Sequence, residues 1–366
     1  MRIGVDISSL SMGNSGIQVY IRNILSELQR IDLKNEYYLF EPTPSGYVVN
    51  NPKWTLLTSR KKKYPAFGTI WFQCILPWLL AIYKIDCLWA PEYFCPLFVR
   101  KKTRVLLSIY DCTSHYFSQT MDRLYYRRFK LFFNGSIRRA DSILTISEFI
   151  QKEIKSIYLR NTDKKVIVGH CGKPNWIIPS GYSPEKRMDF LFFPGNFEPR
   201  KNILTLIKAL EILYAKGSGV SLHIAGPSGW NNDAIYAYIE KSGIKETITF
   251  LGFLEEDVLI EQYCTCKALI FPSLYEGFGM PVLEALCLDC LVLTSKNTVM
   301  QEICGNAALY FDPNDPEDMA KEIMKIQKKD FNRDSYLKHK DDIINMYSWR
   351  KTAAKILKEI ESQELL

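Results

Sequence analysis

Ser273-Leu274-Tyr275-Glu276-Gly277-Phe278-Gly279-Met280-Pro281-Val282-Leu283-Glu284-Ala285-Leu286 follows the apolar run Ala268–Phe271 and Pro272. A short apolar run, a glycine-bearing loop and then a helical pattern read as one β/α unit of a parallel sheet. Pro281 suits the first helical position, where its missing N–H costs nothing. Gly277 and Gly279 let the backbone approach a ligand closely. N–H groups at that helix start, with the helix dipole behind them, make a ready phosphate site. Glu276 falls in the loop and Glu284 is expected in the first helical turn. A carboxylate there can accept both hydroxyls of a vicinal diol, as a ribose or hexose offers. The competing account of Glu284 is stabilisation of the helix N-terminus through the dipole.

Working upstream, Phe192-Phe193-Pro194-Gly195-Asn196-Phe197-Glu198-Pro199-Arg200-Lys201-Asn202 repeats the order of strand, glycine loop and helix. Arg200 and Lys201 put two cations where a strand ends and a helix begins. Beside the Glu276–Glu284 loop they could neutralise a diphosphate without a metal ion; otherwise they are two solvated surface charges. Neither segment is a Walker P-loop or a GxGxxG dinucleotide fingerprint.

Farther out, the same alternation runs along all 366 residues. Strand candidates in the first half are Arg2–Ile7, Tyr37–Phe40, Trp54–Leu57, Asp86–Ala90, Arg104–Ile109, Ser142–Ile146 and Lys165–Val168. In the second half they are Asp189–Phe193, Val220–Ala225, Ile248–Leu251, Ala268–Phe271, Leu291–Thr294 and Ala308–Phe311. Apolar strands separated by amphipathic helices indicate parallel sheets covered on both faces. Pro174, Pro179, Gly181 and Pro184 interrupt the pattern between Lys173 and Arg187. The fold expected is α/β, with two doubly wound Rossmann-like domains, 1–180 and 181–347, facing across a cleft.

Apolar residues at 47% and charged residues at 24% exclude collagen-like and disordered chains. The net charge of +7 is uneven: residues 1–180 hold 26 Lys and Arg against 13 Asp and Glu. The first half is therefore expected to meet something anionic. Ten cysteines and four histidines do not define a metal centre. Cys287 and Cys290 form a CxxC with Cys264 and Cys266 upstream, but they fall on a helix and beside strands, which reads as buried thiols. Met1 leads straight into a strand without a signal-peptide pattern, so a cytoplasmic chain with reduced thiols is expected.

Phe67–Tyr83 is almost free of charge but, at 17 residues with Gln73 and Pro77 inside, too short to cross a bilayer. It reads as a buried or interface-lying helix. Asp122–Ala140 interleaves Arg123, Arg127, Arg128, Lys130, Arg138 and Arg139 with five aromatic residues. That pattern suits an anionic membrane surface, as do Lys61–Lys63 and Arg100–Lys102; a domain helix with inward aromatics is the alternative.

These motifs together resemble the retaining glycosyltransferases of family 4, which have the GT-B fold. The resemblance lies in Glu276-x7-Glu284, in Arg200-Lys201-Asn202 upstream and in Glu-Gly-Phe-Gly-Met-Pro between the glutamates. Ser15-Gly16-Ile17, Ser147-Glu148-Phe149, Leu251-Gly252-Phe253-Leu254 and Ala307-Ala308 follow the family's order from end to end. The resemblance implies a nucleoside diphosphate sugar in the second domain, with Arg200 and Lys201 on the diphosphate and Gly195 and Gly252 in the binding loops. It places Glu284 on the ribose hydroxyls, Glu276 on those of the donor sugar, and the amides of Gly277, Phe278, Gly279 and Met280 along sugar and phosphate. Gly16 would close the site from the first domain, which would carry the acceptor, and a last helix, 348–366, would return to that domain.

Several positions depart from the family, among them Asp289 and Leu291 downstream of Glu284, where the family has Gly and Pro. A His-Asp pair after the fifth strand is here Tyr110-Asp111, with His115 four residues on, so His115 substitutes or Asp111 acts alone. The second glycine of the first loop is Gln18. The resemblance implies retaining transfer of a hexose, first GDP-mannose and otherwise a UDP- or dTDP-sugar, to a saccharide or lipid-linked acceptor in O-antigen- or capsule-type synthesis. No Asp-x-Asp occurs, so no metal cofactor is expected. No nucleic-acid partner is expected, because no helix-turn-helix or RNP-like segment is present. The alternative function is a catalytically inactive, nucleotide-sugar-binding regulatory protein.

Overall fold

The computed structural model describes residues 1–13, 15–59, 69–120, 123–178, 182, 187–227 and 233–362. Two compact units emerge: Met1–Gly172 with Ser348–Leu366, and Lys173–Tyr347. The division falls between Gly172 and Lys173, ahead of the boundary at 180 read from the Pro- and Gly-rich stretch.

The first unit holds a seven-stranded sheet in the order β3-β2-β1-β4-β5-β6-β7. Its strands are β1 (Arg2–Asp6), β2 (Glu36–Glu41), β3 (Trp54–Thr58), β4 (Cys87–Ala90), β5 (Arg104–Ser108), β6 (Ser142–Thr145) and β7 (Lys165–Val168). Every pairing is parallel. All residues of β4 and β6 are buried, as a sheet covered on both faces requires. The helix Trp349–Glu361 belongs to this unit and is capped by Ser348, whose side chain accepts from the Lys351 N–H. Trp349, Ala353, Ile356 and Ile360 form its buried face, and Trp349 meets the Tyr20 ring edge-on at 5.6 Å. Arg104 Nη1 donates to the Ile360 carbonyl at 2.8 Å and Thr352 Oγ1 to that of His170 at 2.7 Å, closing the helix end onto β5 and the segment after β7.

The second unit holds a six-stranded parallel sheet in the order β10-β9-β8-β11-β12-β13. Its strands are β8 (Phe190–Pro194), β9 (Ser221–Ala225), β10 (Ile248–Gly252), β11 (Ala268–Phe271), β12 (Val292–Ser295) and β13 (Ala308–Phe311). Each strand lies within a residue of its sequence-based bounds, because the strands are mainly apolar and the loops on either side are not. Leu206, Ile207, Leu210 and Leu213 of the helix Ile203–Ala215 join Met319, Ala320 and Ile323 of the helix Pro316–Gln327 in one core over this sheet. The chain runs from β8 outward to β10, then crosses to β11 and runs the other way. The order therefore reverses between β8 and β11, where ligands bind outside the carboxyl ends of strands in doubly wound sheets.

The apolar stretch before β4 forms a π-helical turn, Trp71–Ile75, continued by the helix Leu76–Ile82. Among the described residues no helix is long and apolar enough to cross a membrane. The basic segment forms the helix Arg123–Arg139. Phe67, Gly68, Lys61–Lys63 and Asp122, and Pro179, Gly181 and Pro184 of the interruption between Lys173 and Arg187, lie outside the described residues.

Candidate functional site

Two loops converge at the reversal between β8 and β11. After β8 the chain makes a short 3-10 turn, Pro199–Lys201, and Asn202 takes a left-handed conformation at φ 61° before the next helix. That turn is locked to the loop after β11: the Leu274 N–H donates to the Arg200 carbonyl at 2.8 Å. Asn202 Nδ2 donates to the carbonyls of Pro272 at 3.1 Å and Pro313 at 2.6 Å.

This strapping brings Arg200, Lys201 and Glu276 together. Arg200 Nη1 donates to Glu276 Oε2 at 2.7 Å, and its Nε to Glu198 Oε2 at 2.8 Å. Lys201 Nζ lies 2.6 Å from Glu276 Oε1 and 4.7 Å from the centre of the Phe271 ring. Burial alone would raise the Glu276 carboxyl, but Lys201, Arg200 and hydrogen bonds from Lys201 and Ser273 outweigh it and bring it to about 2. Burial lowers the Lys201 ammonium, with Glu276 holding it up. The arrangement is a carboxylate flanked by two cations, able to exchange one anion for another.

Glu284 corrects one expectation. The helix runs Met280–Cys287 and has no acidic residue in its first turn, so Glu284 stands in the second turn, away from the N–H groups at the start. The dipole account of Glu284 loses its basis there. Its Oε2 instead accepts from the Tyr263 hydroxyl at 2.8 Å. Burial pushes the Glu284 carboxyl up to about 7, with Glu256 adding to the rise and the Tyr263 bond opposing it.

Gly279 caps this helix at φ 100° and ψ 56°. The left-handed conformation favours glycine; a Cβ there would also come within 2.6 Å of Met300 Cε, the end of a flexible side chain that would have to shift. Phe278 is buried and meets Tyr347 edge-on at 5.4 Å; its side chain is a packing element, which leaves the chain from Gly277 to Met280 to contribute backbone. Gly195 donates its N–H to the Ala225 carbonyl at 2.7 Å, and Gly226 donates to the Gly252 carbonyl at 2.7 Å. Gly195, Gly226 and Gly252 thus close the ends of β8, β9 and β10 in a row.

Two residues of this site were missed in the sequence. Gly226 has φ 142°, and a Cβ on it would lie 2.4 Å from the Gly195 carbonyl oxygen. The strand-then-glycine pattern of Ile224-Ala225-Gly226, the same as at Gly195, was the available signal. Tyr263 gave none, since it sits inside the helix Glu256–Thr265, away from any loop motif.

Gly16, Asp111 and His115 lie in the first unit. Gly16 opens the helix Gly16–Ile31, capped by Ser15. Gln18, in place of a glycine, completes a capping box by accepting from the Ser15 N–H at 2.9 Å. Asp111 Oδ1 accepts from the Thr113 N–H at 2.9 Å. His115 is exposed, its ring edge-on to Tyr116 at 4.9 Å. At the strand-order reversal of this unit, between β1 and β4, stand two carboxyls that the sequence did not single out. Burial raises Asp6 to about 6 and Glu92 to about 8, the latter helped by Asp6. The cysteines are free thiols, with Cys266 and Cys290 buried and their Sγ atoms 3.3 Å apart.

Two doubly wound units, with paired cations and a glycine-rich turn at a strand-order reversal, define the GT-B class of glycosyltransferases. Sucrose-phosphate synthase from Thermosynechococcus elongatus shares the fold with a TM-score of 0.78, covering 99% of this chain and 98% of that one at 15% identity. Residues 177–343 match the family Glycosyl transferases group 1, and the chain is a glycosyltransferase carrying that domain. It is 27% identical to the O-antigen chain mannosyltransferase B of Escherichia coli over 264 residues, 69% of this chain and 68% of the relative. It is 25% identical to the serotype-specific mannosyltransferase WbdA of Escherichia coli over 262 residues, 64% of this chain but only 31% of that longer protein.

Proposed function

We propose that this glycosyltransferase moves a mannosyl group, with retention, from GDP-mannose to a saccharide or lipid-linked acceptor of an O-antigen-type glycan. The observation that carries the reading is the Arg200–Glu276–Lys201 cluster at the β8/β11 reversal. The mannosyl group rests on similarity to O-antigen mannosyltransferases; UDP- and dTDP-sugars are the other donors to test. The donor diphosphate takes the place of the Glu276 carboxylate on Arg200 and Lys201. Glu276, displaced but still in the loop, turns to the sugar hydroxyls, and Glu284 takes those of the ribose. The anomeric C–O bond breaks with its electron pair going to the diphosphate, whose growing charge the two cations and the Met280 helix start stabilise. The acceptor oxygen bonds to the anomeric carbon on the face the diphosphate leaves, and its proton passes to a phosphate oxygen. No step draws on a metal ion.

Peripheral binding to the inner membrane face belongs to the same proposal. Ile70, Cys74, Trp78 and Ile82 recur at every fourth position and are all exposed, an apolar ridge on an uncharged helix. Arg100, Lys101, Lys102, Arg123, Arg127 and Lys130 are exposed in the same unit. A thermal-shift series with GDP, UDP, dTDP and their sugars, followed by transfer assays with the donor that stabilises, tests the function. Stabilisation without turnover on any saccharide or lipid-linked acceptor would turn the conclusion to the regulatory protein.

A further inference from the structure

We propose that Tyr263 is a positioning residue for the donor: its hydroxyl fixes Glu284 through Oε2 and so makes the site select a ribose over a 2′-deoxyribose. The inference rests on the reading that Glu284 meets the ribose hydroxyls. Tyr263 is fully buried on the helix Glu256–Thr265. Its ring stands edge-on to Phe192 of β8 at 5.2 Å and 89°, with Trp176 at 6.0 Å. A fully buried ring packed against β8 has little room to swing, so the hydroxyl position is set by the core of the sheet and not by the loop. Glu284, by contrast, carries a side chain with three rotatable bonds. Held by one 2.8 Å bond through Oε2, the carboxylate has its orientation decided before any ligand arrives, the condition for geometric selectivity.

The same bond governs its charge. An ionised carboxylate accepts from two hydroxyls, whereas a protonated one must give up an acceptor position. Glu284 is poised near neutrality: burial and Glu256 favour the proton, and Tyr263 opposes it. On its own helix Cys287 also senses the Glu284 charge. Tyr263 itself is held neutral, since burial and Glu284 push its hydroxyl far above the ordinary tyrosine range. It therefore donates to the ionised carboxylate. Removing the hydroxyl takes away a hydrogen bond that favours the ionised carboxylate, and ionisation then needs a higher pH.

Calorimetry of the full chain and of Y263F with GDP and 2′-deoxy-GDP, and with UDP and 2′-deoxy-UDP, between about pH 6 and pH 9 tests this. The ratio of ribo to deoxy affinity cancels the titration of the phosphates. In the unsubstituted protein the ribo form is expected to bind about tenfold or more tightly at pH 8, the value of a hydrogen bond to a charged group. The preference declines as the pH falls through about 7. In Y263F the decline moves to higher pH, so the preference at pH 7 drops several-fold and returns toward pH 9. An unmoved decline in a folded Y263F overturns the inference. Equal ribo and deoxy affinities in the unsubstituted protein at every pH overturn the reading of Glu284 itself. Should Y263F fail to fold, E284Q reads the same balance: a pH-independent ratio supports Glu284 as the titrating group, and a persisting decline overturns it.

Discussion

Lys201 Nζ sits 2.6 Å from Glu276 Oε1 with side-chain exposures of only 11% and 10%, so a full ion pair stands nearly out of water. Such a pair is weak evidence for stability, because desolvation offsets most of the attraction; removing one partner is what costs, about 3–5 kcal/mol. Its place at the strand-order reversal is what the proposed diphosphate site requires.

Glu276 should make the protein acid-sensitive. Its folded carboxyl lies near 2, below the unfolded value of 4.5. The stabilisation is therefore complete above about 4.5 and lost as pH falls toward 2. The difference corresponds to roughly 3 kcal/mol. Urea unfolding at pH 7 and pH 3 should show a larger loss in the unsubstituted protein than in Glu276→Gln. Equal losses would mean that the carboxylate is not held by its cations.

Arg200→Ala with Lys201→Ala should reduce transfer by at least about 100-fold, the scale of removing a preorganised charge stabiliser. Nucleoside diphosphates should also cease to raise its melting temperature. Near-normal turnover would remove these cations from the reaction.

At the end of β9, Gly226→Ala drives a Cβ to 2.4 Å from a backbone oxygen that cannot step aside, whereas Gly195→Ala meets nothing closer than 3.5 Å. The first should destabilise by about 2 kcal/mol or more and the second by little. Thermal melting of the two proteins checks the contrast, and reversal of their order would contradict it.

Gly279→Ala combines a left-handed φ with contact on Met300. A loss of about 1–3 kcal/mol is expected. In a Met300→Ala background, itself destabilised because Met300 is buried, the added cost of Gly279→Ala should shrink only by the part due to the contact. Chemical denaturation of both single variants and the double variant separates the two causes; disappearance of that added cost would mean that the backbone carries no strain.

Because the leaving diphosphate is assigned to two side-chain cations, transfer should proceed at an undiminished rate in excess EDTA. A rate that falls with chelation and returns with Mg2+ or Mn2+ would require a metal in the reaction.

The strand positions were legible in the sequence because burial of most strands leaves short, mainly apolar runs, a purely local signal. The Arg200-Lys201 and Glu276–Glu284 loops were legible for a related reason: Gly and Pro mark where a strand yields to a helix. Glu284 was misplaced in the first helical turn because the helix start depends on Gly279 adopting φ 100°, and a sequence shows only that glycine can. Gln18 looked like a lost glycine until its capping of Ser15 was visible.

What the chain order alone determined is the pair of parallel β/α repeats and the chemical types in each loop, since hydrophobic period and turn chemistry act over a few residues. Which loops meet was decided by the crossing from β10 to β11. That crossing set β11 beside β8, laid Glu276 against Arg200 and Lys201, and put Tyr263 under Glu284. Neighbourhood across a sheet is a property of strand order, which burial and backbone pairing settle only when the whole unit closes.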